Sequence, residues 1–209
     1  MIQVRDTFHI RFGRIDGAVS HFRRLRAATP AGFFPGGLRY ELLADLSGPM
    51  YTLRVALRFL SIQTWEDGLQ SLFARPEYDA WFKDWKQFVE DGEREFFRLE
   101  QDSDGWSGPG AMVVRSCFLA LEWRVHETVS LLKDHGAMLA DCGVATRPRV
   151  LTDASGRMFN AVLEVETPDL RTWDEHRQSM FGDPMFQAWF RRLLTCASHG
   201  SHEFYRLVG

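Results

Sequence analysis

The chain has 209 residues, 45% of them hydrophobic and 25% charged, which is the composition of an ordinary globular protein of one or two domains. A net charge of −3 gives no broad positive field, so non-specific nucleic-acid binding is excluded, and no apolar run approaches the roughly 18 residues of a membrane span. Three widely spaced cysteines, Cys117, Cys142 and Cys196, form no disulfide framework and fit a reducing, cytoplasmic setting; the first residues lack the order of a signal peptide.

Residues 2–12 alternate in character. Val4, Phe8, Ile10 and Phe12 fall on one side and Gln3, Arg5, Thr7, His9 and Arg11 on the other, the period-two mark of a strand with one apolar face. Asp16 is placed to cap a helix whose apolar positions Val19, Phe22 and Leu25 recur to about Thr29, where Pro30 and Gly32 break it. Strands are expected over 38–46 and 50–60, joined at Ser47-Gly48, because glycine accepts the positive φ of a turn. Thr64 is expected to cap a helix carrying Trp65, Leu69, Leu72 and Phe73 on one face. Pro76 is expected to open a second helix at its first position, where a missing N–H costs nothing, and Gly92 to end it. A strand over 93–100 completes the order β-α-β-β-α-β, the ferredoxin-like arrangement.

Residues 101–110 read as a linker, and the order then repeats over 111–209. Asp45-Leu-Ser-Gly returns as Asp153-Ala-Ser-Gly, an offset of 108. At the same offset Trp65 meets Trp173, Phe73 meets Phe181, Pro76 meets Pro184, Trp81-Phe82 meets Trp189-Phe190 and Gly92 meets Gly200. In the first strand of each half Arg115 matches Arg5 and Phe118 matches Phe8. So many matches identify a tandem duplication of a domain of about 100 residues, residues 1–100 and 111–209.

The strand arginines Arg5 and Arg115, the Ser-Gly hairpin and the Trp–Phe–Pro–Trp-Phe helix pattern resemble NIPSNAP-type domains of the dimeric α+β barrel superfamily, in tandem, over nearly the whole chain. The resemblance implies an α+β fold in which two ferredoxin-like repeats pack sheet to sheet as a pseudo-dimeric barrel. That superfamily also includes cofactor-independent monooxygenases, isomerases and haem enzymes, so the resemblance supports fold better than activity.

If the apolar strand faces meet the helices, the other faces line an interior between the repeats. Arg5, His9, Arg54, Arg58, Arg115, Asn160 and Glu164 are then the expected ligand-binding residues, suited to a small anionic or carbonyl compound, since arginine presents a fork of donors to carboxylates. The alternative for the same residues is an ion-pair network that fixes how the halves dock, giving a non-catalytic scaffold. His9 is the candidate catalytic base of a cofactor-independent monooxygenase or isomerase, against a hydrogen-bonded structural histidine. Cys196, His199 and His202 have metal-like spacing but straddle a helix end with no fourth ligand, so no metal is assigned. His126, His135 and His176 on helices leave a haem ligand open in principle, yet no cofactor motif is present and none is expected. The expected partners are a small molecule and a second copy of the fused chain, with no nucleic acid and no membrane.

Overall fold

The computed structural model describes residues 1–28, 34–103 and 105–209. The chain divides into two compact units, Met1–Phe97 with Leu207–Gly209, and Arg98–Arg206.

In the first unit β1 (Ile2–Ile10) leads through α1 (Ile15–Ala28) to the hairpin of β2 (Arg39–Asp45) and β3 (Thr52–Phe59); α2 (Ile62–Phe73) and α3 (Pro76–Trp85) then precede β4 (Val89–Gln101). The strands lie in the order β4-β1-β3-β2, the split arrangement in which each βαβ crossover leaves room for one antiparallel strand. Register pairs Arg5 with Ala56, Asp6 with Val55 and Thr7 with Arg54. Val4, Phe8, Leu53, Val55, Leu57 and Phe59 therefore share one face and pack against Val19, Phe22, Leu25, Leu72 and Trp85 of the helices. Period two on the strands and the helical period on α1 meet in one core, as the sequence predicts.

The second unit repeats the plan with β5 (Met112–Ala120), α4 (Val125–Asp141), β6 (Thr146–Asp153), β7 (Asn160–Thr167), α5 (Leu170–Met180), α6 (Pro184–Cys196) and β8 (Ala197–Leu207). Its strand order is β8-β5-β7-β6. Val114, Leu163 and Val165 pack under Val129, Leu132, Leu139 and Trp173.

Several local expectations are corrected. Phe12 lies beyond β1 and is exposed, tilted against Tyr51 with ring centroids 4.9 Å apart. Asp16 sits in the first turn of α1 and is not its cap. The cap of α2 is Ser61, whose hydroxyl accepts the Thr64 N–H at 3.1 Å; Thr64 is the donor of the capping bond and not the cap. Gly92 does not end a helix: α3 stops at Trp85 and Gly92 lies inside β4, where an added Cβ would meet the Phe8 ring at 2.9 Å and the Thr7 carbonyl at 3.0 Å. Gly200 likewise lies inside β8, after α6 ends at Cys196. Both glycines admit an aromatic ring from the neighbouring strand, which explains their recurrence better than a helix stop does. Pro76 and Pro184 open α3 and α6 as expected. The expected break at Pro30 and Gly32 lies outside the described residues.

Candidate functional site

The polar faces of the two sheets hold the charged residues singled out from the sequence. In the second unit a single register row crosses all four strands: Glu203 on β8, Arg115 on β5, Glu164 on β7 and Arg149 on β6. Charges alternate along it. Arg115 reaches Glu203 at 2.9 Å and Glu164 at 3.5 Å, and Arg149 reaches Glu164 at 3.1 Å and Asp102 at 3.8 Å. The Arg149 guanidinium also lies 4.2 Å from the ring centre of Trp106. Buried charges persist where opposite charges and aromatic faces replace water, and this row does both.

The first unit treats its charges differently. Arg58 pairs with Glu41 at 2.9 Å, both buried. Arg5 is buried over the Phe97 ring at 4.6 Å, and Arg54 is buried on the same face, in register with Thr7. His9 is half-exposed and bonded to Asp91 on β4. Asn160 begins β7, half-buried, opposite Leu119. The structure thus joins Arg115 to Glu164, and it gives Arg58 and His9 separate carboxylate partners.

The opposite, helix-covered face of the first unit carries a cavity of about 380 Å³, within the range of small-molecule pockets. Its walls are aromatic: Phe8 and Phe22 below, Tyr78, Trp81, Phe82 and Trp85 from α3. Spacing on α3 explains the wall, since Tyr78, Trp81, Phe82 and Trp85 stand three and four apart on one helical face. Trp81 and Trp85 stack 5.5 Å apart at 11°, and Phe22 meets both edge-on. Two reciprocal bonds lock Trp81 to α1: its indole N–H donates to the His21 carbonyl at 3.1 Å, and His21 Nε2–H donates to the Trp81 carbonyl at 2.9 Å.

One charged fork breaks this apolar surface. Arg94 on β4 donates from Nε and Nη2 to the two carboxylate oxygens of Asp6 on β1, at 2.6 and 2.7 Å. Both residues line the cavity, and the guanidinium also lies 5.2 Å from the Trp65 ring centre. The Asp6 hydrogen bond and charge hold the Arg94 guanidinium further into its protonated range. Burial pushes the Tyr78 phenol up, so Tyr78 stays a neutral donor. None of the seven sheet-face residues expected to bind ligand lines this cavity. Sequence reasoning missed Asp6, although a signal was there: it is the one acid on the apolar side of the Val4–Phe8–Ile10 alternation.

The second unit has the counterpart. Phe118, Trp189, Phe190 and His202 occupy the places of Phe8, Trp81, Phe82 and Arg94 around a cavity of about 170 Å³. Where Asp6 grips Arg94, Ser116 bonds His202 Nδ1 at 2.9 Å. Trp189 keeps the indole bond of its equivalent, donating to the Leu131 carbonyl at 2.7 Å. His135 lies face to face on Trp189, centroids 4.2 Å apart. Burial, then the neighbouring His176 and His202, pull the His135 pKa down to about 4. Burial also lowers His176 and His202, with Arg177 adding to the effect at His202.

No protein-family profile and no curated protein matches the chain. Solved structures do match it. A candidate monooxygenase from Fusobacterium nucleatum is 10% identical, with a TM-score of 0.75, over 100% of this chain and 92% of that one. An anthrone oxidase-like protein is 12% identical, with a TM-score of 0.71, over 100% and 91%. A haem-binding protein from Thermus thermophilus is 12% identical, with a TM-score of 0.57, over 100% and 91%. No helix of the described residues is long and apolar enough to cross a membrane. With its two ferredoxin-like repeats in one chain, the protein has the fold of the dimeric α+β barrel proteins.

Proposed function

We propose that the first unit binds a planar, carbonyl- or hydroxyl-bearing aromatic molecule in its helix-side cavity. The observation that carries this reading is the Arg94–Asp6 fork set into an aromatic wall. Trp81 and Trp85 give the cavity an aromatic wall against which a ring system can pack, while Arg94 and the Tyr78 hydroxyl supply donors for one oxygen. Few, fixed polar groups among apolar walls are what orients a ligand. This reading takes the ligand away from the charged sheet faces, where Arg58, Arg115 and Glu164 are committed to ion pairs.

A second reading, cofactor-independent oxygenation, is favoured by the shared fold with a candidate monooxygenase and an anthrone oxidase-like protein. An activated methylene of the substrate would give a proton to Asp6, and its carbanion would pass electrons to dioxygen. One oxygen atom would end as the new carbonyl and the other, with the two methylene hydrogens, as water. Arg94 would stabilise the enolate oxygen as it forms. His135, one of the candidate haem ligands, is packed flat on Trp189 beside a cavity of about 170 Å³, too small for a tetrapyrrole at that position.

Titration with anthrone, followed by tryptophan fluorescence, tests both readings. Saturable quenching is expected, weakened about tenfold or more in Arg94→Gln, the scale of a lost charge-assisted hydrogen bond. Oxygen uptake with anthrone that falls in Asp6→Asn supports oxygenation; binding without uptake leaves the binding reading alone. Affinity unchanged in Arg94→Gln would sink the proposal.

A further inference from the structure

The fork in the first cavity has no net charge to offer a guest. Arg94 commits Nε and Nη2 to the two oxygens of buried Asp6, at 2.6 and 2.7 Å, which leaves Nη1 as the arm outside the fork. The described walls hold two acids, Asp6 and Asp79, and one cation, Arg94. An outer cleft of about 520 Å³ shares Asp6, Phe8, Phe82, Trp85 and Arg94 with the cavity and so adjoins it at the fork. That cleft adds Glu90, Asp91 and Glu93 against Lys86. The lining charges of both spaces therefore sum to a negative field around the fork.

The fold does not demand the Asp6–Arg94 pair. In the second unit the same two places hold Ser116 and His202, joined at 2.9 Å, and the elements around them keep their plan. An ion pair set in a largely apolar wall is also weak support for stability, because desolvating both charges offsets their attraction. What the pair does change is the charge that a guest meets. A neutral carbonyl or hydroxyl oxygen takes an N–H from Arg94 and leaves Asp6 paired. A carboxylate has to sit beside Asp6 among aromatic walls, with no second cation among the described lining residues to answer it.

We propose that Asp6 is the specificity-determining residue of the first cavity: a built-in carboxylate on the edge of Arg94 that would otherwise clasp a ligand carboxylate, so that the site takes neutral ring compounds bearing one oxygen and rejects aryl carboxylates of the same shape. This selectivity rests on ligand binding in the first cavity as proposed above, and it narrows the ligand to one charge class. Of the anionic and carbonyl compounds that arginines suit in general, it keeps the carbonyl ones.

The test titrates the ¹⁵N-labelled full chain at neutral pH with 2-naphthol and, separately, with 2-naphthoate, the same ring system carrying a neutral oxygen or a carboxylate. Binding is read from the Trp81 indole resonance, identified by its absence in Trp81→Phe, so that the first cavity is the one that reports. The naphthol is expected to bind about tenfold or more tighter than the naphthoate, the scale of an uncompensated like charge. Asp6→Asn keeps the shape and removes the charge. It should tighten the naphthoate about tenfold or more and change the naphthol by no more than about threefold. Asp6→Ser, which copies the serine of the second unit, should give the same reversal and serves if Asp6→Asn fails to fold. Equal affinity for the two ligands in the unsubstituted chain, or a naphthoate affinity that neither Asp6 variant raises, would overturn the charge selectivity and leave the binding reading standing. No saturable binding of either ligand would overturn both.

Discussion

Asp6 and Ser116 occupy the same place in the two repeats, as do Arg94 and His202, and that pair of exchanges separates the two cavities. The residue scale also sets a pH dependence. His135 is held neutral with a folded pKa of about 4, below the ordinary value of about 6.5. As pH falls through that window the unfolded chain takes the proton first, so stability is full above pH 6.5 and declines towards pH 4. The loss from this one residue is on the order of 3 kcal/mol. His135→Phe should flatten the stability profile between those limits, measured by urea denaturation at several pH values. The two recurrent glycines predict a contrast. Gly92→Ala meets a backbone carbonyl as well as a ring and should cost about 2 kcal/mol. Gly200→Ala meets the Phe118 ring at 2.9 Å, with its nearest carbonyl at 3.9 Å, and should cost visibly less in thermal denaturation. The glycines themselves were legible as repeated letters. Their role was not, because the ring each one admits belongs to a strand more than 80 residues earlier.

At the scale of elements, helix starts were legible where the signal was stereochemical and shifted where it was a choice among neighbours. Proline cannot donate an N–H, so Pro76 and Pro184 mark their helix starts without regard to packing. Ser61 and Thr64 both carry hydroxyls, and only the chain path picks Ser61 as the cap. Ser61→Ala should therefore cost about 1 kcal/mol of stability, whereas Thr64→Ala should cost less. Its counterpart Asp169 caps α5 through the Thr172 N–H at 2.8 Å, and that bond lowers the Asp169 pKa. The contribution of Asp169 is present above the ordinary carboxylate pKa and fades as pH falls through the folded one. The four-strand charge row makes the larger prediction. Glu164 stands between two buried arginines, so Glu164→Gln leaves both under-compensated and should destabilise by about 3 kcal/mol or more in urea denaturation. Arg115 and Glu164 were singled out from the sequence as interior-facing residues, for a ligand or for ion pairs between the halves; their alternation with Glu203 and Arg149 within one sheet was not. Arg149 was not, because its alignment with Glu164 depends on the β6–β7 register.

For the whole molecule, duplication supplied two helix-covered cavities and divergence gave them different chemistry. A wide, forked, acid–base cavity of about 380 Å³ and a narrow histidine cavity of about 170 Å³ should take different guests.

The order of elements, the duplication and the apolar strand faces follow from the sequence by itself, because periodicity, proline and glycine act on the nearest few residues of the chain. The tertiary structure alone decided where the chemistry sits. Asp6 meets Arg94, and Ser116 meets His202, only when the last strand of a repeat lies beside its first. The aromatic walls close only when α3 and α6 pack across α1 and α4. Contacts between residues 58 to 88 positions apart leave no local pattern in the sequence, and they carry the fork and the size of each cavity.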